Sequence, residues 1–367
     1  MAYTLQEILG GRNLCGVIDA QTTGIPNPLP PQFTTRSRGV PGNQCTFYRV
    51  DGTRTVAKIV PYGSPSVNRG QKGLTAVPVK LIHSFEHMFH DPSVLMMLRN
   101  MNDDTLQNMG RGEIARQTRD FKTNNENLRI AATLSALFKG YLYFDGEGNL
   151  LNSATGAVVT IDYQVPAGNQ DQCDMLGDGS IIDAKWSAVG TDIHTHIQAI
   201  LKAALKLTGL PLTTAYYGTN ILDYLLKNTI LSELIVRNVG TQQAFINGQI
   251  PDGFLGIQKW VPAQNAYYVD ADNSYQDLMD DDDVVFTPTV SPIWYEFIEG
   301  SYPVPTNIGA VAADAVGAMS NILQKYGMFS YATVLNDPVT VKQNAGDTFL
   351  PVVKNPNAIV KASVHWT

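Results

Sequence analysis

Hydrophobic positions along the chain change their spacing several times, and each change marks an element. Residues 1–44 show little periodicity beyond a short helix at Thr4–Leu9. Pro26, Pro28, Pro30, Pro31 and Pro41 fix their own backbone and restrict the residues before them, so this stretch is expected to be an extended arm outside the core. From Cys45 to Ile82 β-type runs take over, Thr55–Val60 and Thr75–Ile82, separated by Pro61–Gly73, rich in Gly, Ser and Pro. They predict a long hairpin with a flexible tip. Its apolar residues are too few for a core of its own, so it must lie on something else, and a neighbouring subunit is a candidate.

Helical spacing follows from about Pro92 to Lys139, where Ile114, Phe121 and Leu128 recur every seven residues and Ile130, Leu134, Leu137 and Phe138 continue the stripe. Pro92 at the start and Gly140 past the end are where helices prefer them. Gly110 and Gly112 are expected to break or bend this helix. A core-facing stripe accounts for the pattern, since a coiled coil needs several unbroken heptads.

Beyond it the period shortens again at Tyr141–Phe144, a turn at Asp145–Asn149, and an alternating run from Ala157 to Val165. A loop leads to Lys185 and Trp186. Asp192 then stands where a helix cap belongs, and Ile193, Ile197, Leu201, Ala204 and Leu205 form an apolar stripe that stops at Gly209. A strand at Leu212–Tyr217 and a helix from an Asn220 cap to Asn228 complete an α/β layer. Further strands are expected at Ala266–Val269, Val284–Thr287, Ser330–Leu335, Val339–Val341 and Ile359–Val364, with a helix at Ala310–Lys325.

At 367 residues and 44% hydrophobic content the chain can bury a generous core. No stretch approaches the roughly 20 apolar residues of a membrane span, and Met1–Gly11 lacks the pattern of a signal peptide. Cys15, Cys45 and Cys173 are odd in number and widely spaced, which favours reduced thiols. The net charge of −7 speaks against a chain whose main task is gripping nucleic acid. That charge is split: residues 36–80 hold eight basic side chains against Asp51 alone, a net of +7, while the remainder carries −14. A basic segment on an acidic body suits DNA, membrane or an acidic neighbour, and another copy of the chain would serve.

Candidate chemistry is thin. His83-Ser84-Phe85-Glu86-His87 matches the H-x-x-E-H pattern of inverted zinc proteases. The segment leaves little room for the helix that pattern needs, so a strand-to-helix junction with partly exposed histidines is the expectation. Asp280–Asp283, with Asp270, Asp272 and Asp277 upstream, could bind a hard cation but lacks the glycine and terminal glutamate of an EF-hand loop. A solvated acidic surface is expected there, and His194 and His196 are read as capping or surface residues. There is no Walker A loop, no G-x-S-x-G elbow and no Rossmann fingerprint. No catalytic, cofactor or metal residue is assigned.

Three stretches together carry a resemblance. They are Arg111-Gly-Glu-Ile-Ala-Arg116 running to Ala136-Leu-Phe-Lys-Gly140 and Tyr141-Leu-Tyr-Phe144, then Trp186-Ser187 ahead of Asp192, and Asn336-Asp-Pro338 before Leu350–Val360. In this order the chain resembles tailed-phage major capsid proteins with the Hong Kong 97 fold, in the branch of the lambda capsid protein E. The resemblance implies an α+β capsid fold with an N-terminal arm (1–44), an E-loop hairpin (45–83), a P domain with a long spine helix (84–190), an A domain (191–329) and return strands to the P domain (330–367). It implies a non-enzymatic subunit that self-assembles, as hexamers and pentamers, into an icosahedral head shell enclosing double-stranded DNA. Portal, scaffolding and decoration proteins come as implied partners, with no membrane, no cofactor, assembly in the bacterial cytoplasm and a final place in the virion. Arg49, Arg54, Lys58, Arg69 and Lys72 of the basic hairpin are the expected contacts between subunits. The alternatives are a zinc metalloprotease and another self-assembling phage part such as a tail protein. The proline-rich arm and the loop from Gln164 to Asp183 depart from the lambda type.

Overall fold

The computed structural model describes residues 8–49, 75–99, 104–237, 239–269, 273–306, 322–336 and 339–366, and there the chain begins on a helix. Helix α1, Gly11–Ala20, buries Leu14, Cys15 and Ile18, and Leu29 and Phe33 farther on are buried too. The expectation of an arm outside the core is therefore corrected. Leu14 and Ile18 are one helical turn apart, and burying that stripe outweighs the extended bias of the prolines that follow. The helix expected at Thr4–Leu9 falls mostly outside the described residues.

After β1, Arg38–Val40, strands β2, Gln44–Arg49, and β3, Thr75–Lys80, pair antiparallel from Gln44 with Lys80 to Arg49 with Thr75. The base of a hairpin is thus present, its first strand starting at Gln44. Thr55–Val60 and the tip Pro61–Gly73 lie outside the described residues. Cys45 and Phe47, two apart, point to the same side and join the main core.

Strand β4, Ile82–Phe89, replaces the strand-to-helix junction expected at His83–His87. The single helix expected from Pro92 to Lys139 is two: α2, Pro92–Arg99, and α3, Asp104–Phe138. Gly110 and Gly112 do not break α3. A Cβ on Gly110 would sit 2.9 Å from Leu98 Cδ2, so this glycine lets α2 approach, whereas nothing lies within 4 Å of Gly112. A three-stranded sheet follows, with β5, Tyr141–Phe144, between β6, Leu150–Leu151, and β7, Val159–Asp162.

Helix α4, Ile193–Thr208, ends as its sequence predicts: Asp192 accepts the Thr195 N–H at 3.1 Å, and Gly209 closes the helix at φ 73°. Strand β8, Leu212–Tyr217, leads into α5, Thr219–Lys227. Asn220 is not its cap. Its amide donates to Asp282 at 2.9 Å, because the chain enters the helix at Gly218, where a Cβ would meet the Asp281 carbonyl at 2.3 Å. Asn228 instead caps α6, Thr229–Arg237, by accepting the Ile230 and Leu231 N–H groups. Then come α7, Val239–Ile246, β9, Lys259–Pro262, the small hairpin β10, Tyr267–Val269, and β11, Tyr275–Asp277, and β12, Asp283–Pro288.

The C-terminal third is β-rich: β13, Tyr295–Pro305, β14, Ile322–Tyr326, β15, Phe329–Asn336, β16, Val339–Val353, and β17, Val360–Ser363. The helix expected at Ala310–Lys325 is corrected where it is described, since Ile322–Tyr326 pairs antiparallel with Ser301–Pro305. Strand β16 organises one sheet, pairing β15 over Val339–Gly346, β4 over Lys342–Phe349 and β13 over Phe349–Val353. Helix α3 covers one face of that sheet. In a second sheet, ordered β17-β12-β8-β9, the inner strand β12 is buried on both sides. Tyr216 and Val285 pack with the core around α3, while Ala215, Val284 and Phe286 pack with the core around α4. Period-two alternation thus joins the two cores through one sheet.

Candidate functional site

Helix α3 is fixed to the β16 sheet by charge as well as by apolar contact. Arg129 donates from Nε and Nη2 to the two oxygens of Asp347, the latter at 2.7 Å, and its Nη1 lies 2.9 Å from Glu299 on β13. The guanidinium sits over Phe297 and Phe349, 5.3 and 5.6 Å from their centroids. Burial opposes its charge, yet Asp347 and Glu299 outweigh burial and raise its pKa further. Along the same face Gln343 donates to Thr118 of α3 at 3.0 Å, and Ser84 donates to Asn125. One helix therefore holds β4, β13 and β16 in a fixed relation, and the hairpin base continues directly from β4.

The other face of this sheet is partly bare. Because side chains alternate along a strand, His83, Phe85, His87 and Phe89 share that face of β4. Phe85 lies in register with Gly346 and, beyond it, Phe329. A Cβ on Gly346 would sit 2.7 Å from Phe329 Cζ, so the glycine leaves room for that ring to lie across the strand. Tyr302 stacks on Phe329 at 4.0 Å, and His83 stacks on Tyr302 at 5.4 Å. Phe85 and Phe89 remain 45% and 54% exposed.

Of the basic residues singled out from sequence, only Arg49 is described. It is engaged within its own chain, donating to the side chain of Gln164 and, at 3.2 Å, to the Gln164 carbonyl. Arg54, Lys58, Arg69 and Lys72 lie outside the described residues. The H-x-x-E-H segment is a strand, so His83 and His87 are on one face and Glu86 on the other, and His83 bonds Thr348 at 2.8 Å. Among the described residues no group of three or more His, Cys, Asp or Glu is placed to hold a metal.

The acidic run is corrected in part. Asp280 and Asp281 are exposed, but Asp283 is buried in β12, 2.9 Å from Lys361 of β17, where burial raises its pKa against the pull of Lys361. His194 is exposed as expected. His196 is buried, accepting from Trp186 Nε1 at 3.2 Å and pairing with Asp183 at 2.8 Å, because α4 turns it inward beside Ile197 and Ile193. The three thiols are free and buried, and burial pushes Cys173 up to about 12. Sequence reasoning passed over Phe85 and Phe89, which sit inside or beside the zinc-like motif. Their period-two spacing with His83 and His87 was the available signal.

A hairpin rooted beside a long helix that crosses a sheet, with an α/β layer attached, is an architecture found in solved phage proteins. A protein assigned as the capsid protein of a prophage in E. coli CFT073 matches at TM-score 0.55 and 15% identity, over 97% of this chain and 99% of that one. A phage-related protein from Bordetella bronchiseptica RB50 matches at TM-score 0.50 and 10% identity, over 97% of each chain. The fold is the Hong Kong 97-type α+β capsid fold. The sequence pattern of the family described as phage major capsid protein E matches residues 20–364, and the chain belongs to that family. A search of curated proteins finds no match. The family is one of structural proteins that assemble into shells, which gives the chain a shell-forming role and a place in the virion.

Proposed function

We propose that copies of this chain, arranged as hexamers and pentamers, close into an icosahedral head shell around double-stranded phage DNA, without enzymatic activity. The family match over residues 20–364 carries this reading. Residues 1–44 act as an arm whose helix is anchored on the core, 45–83 as the E-loop, 84–190 with 330–367 as the P domain, and 191–329 as the A domain. The basic hairpin, through Arg54, Lys58, Arg69 and Lys72, lies on the acidic body of a neighbour. Arg49 at its root steadies the hairpin from within. Each exposed pair contributes only about 0–1 kcal/mol, so these charges guide register while area and repetition supply strength. Portal, scaffolding and decoration proteins complete the head, which assembles in the host cytoplasm. Electron microscopy of the expressed protein tests the reading: closed icosahedral particles are expected, and tubes or monomers alone would overturn it.

A further inference from the structure

The outward face of β4 carries His83, Phe85, His87 and Phe89, all exposed, along about 20 Å of strand at the ordinary rise per residue. Register carries this face across two more strands. Phe89 stands level with Lys342 and Thr333, His87 with Asn344 and Tyr331, and Phe85 with Gly346 and Phe329. Lys342, Thr333 and Tyr331 are half-buried and Asn344, Gly346 and Phe329 buried, so the open part of the face is β4 itself. None of these positions holds a carboxylate. Among the described residues β4 pairs only with β16, which leaves its second edge without a neighbouring strand. Soluble proteins protect such edges with charged side chains, above all lysine, or with proline. Strand β4 has no lysine or proline, and its one charge, Glu86, lies on the opposite face from Phe85 and Phe89. Two exposed phenylalanines on an edge strand instead mark a contact surface.

Resting on the shell reading, we infer that this face is buried in the assembled shell against the acidic body of a second copy of the chain. The family assembles by self-association, so another copy is the partner always at hand. Charge favours the same occupant: outside residues 36–80 the chain carries a net −14, while this face holds Lys342 and no carboxylate. The stacked rings of Tyr302, Phe329 and His83 hold Phe85 in place before contact, so little ordering is left for association to oppose. Contact through this face needs none of the hairpin's arginines.

Hydroxyl-radical footprinting of dissociated subunits and of particles, read by mass spectrometry, tests the inference on the unaltered protein. Oxidation of Phe85 and Phe89 should fall about tenfold on assembly, as expected for rings sealed from water. A His87→Glu variant adds a carboxylate at an exposed position without removing packing. It should fold normally by circular dichroism yet give particles in at least about tenfold lower yield, a loss of about 1.4 kcal/mol per contact. Equal oxidation in both states, or wild-type assembly of the His87→Glu protein, would overturn the inference. If the unaltered chain forms no particles, the shell reading falls and this inference with it. That outcome differs visibly under the microscope from particles whose β4 stays open to oxidation.

Discussion

The guanidinium of Arg129 on α3 grips both oxygens of the Asp347 carboxylate on β16, 218 residues farther along the chain. Asp347 is fully buried, and Glu299 takes the remaining arm of the fork. Removing the arginine would leave two carboxylates facing each other under a helix. Loss of one partner from a buried pair costs about 3–5 kcal/mol, a large part of the roughly 5–15 kcal/mol that holds a domain together. Arg129→Met should therefore lower the urea midpoint sharply or leave the protein insoluble. Arg129→Lys, which keeps charge but loses the planar fork, should fall between. A wild-type midpoint for Arg129→Met would show that the pair contributes nothing.

Two glycines in the same helix should respond in opposite ways. At Gly112 nothing lies within 4 Å of an added Cβ, so Gly112→Ala should stabilise by about 0.5–1 kcal/mol through helix propensity alone. At Gly110 the new carbon would press on Leu98 at 2.9 Å, and overpacking of about 1–3 kcal/mol exceeds that gain. Gly110→Ala should lower the unfolding midpoint while Gly112→Ala raises it. Equal shifts of one sign would remove the close-approach account of Gly110.

Local signals were legible in the sequence, and distant pairings were not. Asp192 and Gly209 bound α4 as expected because a cap needs only its own helix. The length of β16 was hidden, since Lys342-Gln-Asn-Ala-Gly-Asp-Thr348 looks like a polar loop. Its Gln343 and Asp347 are buried only because Thr118 and Arg129 wait more than 200 residues away. Asp283 likewise looked like surface until Lys361 was placed beside it. Helix α1 could have been found from Leu14 and Ile18, but the prolines after it drew the whole segment into one arm. For the assembly surface the composition exposed the basic hairpin, whereas Phe85 and Phe89 were overshadowed by the histidines around them.

Acid should weaken the subunit through His90. Its ring is buried between α3 and β16, near Gln117 and Gln343, with Glu113 the charged group beside it. Burial holds its pKa below the ordinary value, against the upward pull of Gln343, Gln117 and Glu113. The folded state thus refuses a proton that the unfolded chain accepts. Stability is full above the ordinary histidine pKa of about 6.5 and is lost as pH falls below it, until the depressed folded value is reached. His83, exposed but partly desolvated where its ring stacks on Tyr302 and Phe329, is lowered too and adds in the same direction. Urea unfolding at pH 7.5 and pH 5.5 should show a smaller acid loss for His90→Gln than for the unaltered chain. An identical loss in both would assign the acid response elsewhere.

Salt should separate the two roles assigned to basic residues of the hairpin. Arg49 is tied to Gln164 in its own subunit, so Arg49→Ala should cost about 1 kcal/mol of stability, the usual worth of such hydrogen bonds. The salt dependence of assembly should stay as it was. Arg69 and Lys72 are proposed to face a neighbour across solvent, where screening acts over about 8–10 Å at ordinary ionic strength. Assembly of the unaltered chain should then slow as salt rises. The Arg69→Glu, Lys72→Glu double variant should leave the folded subunit intact, with an unchanged unfolding midpoint, while particle formation fails at low salt and recovers in part as repulsion is screened. Light scattering during assembly across a salt series measures both. Normal particles from the double variant, with the wild-type salt slope, would take the hairpin out of the contact.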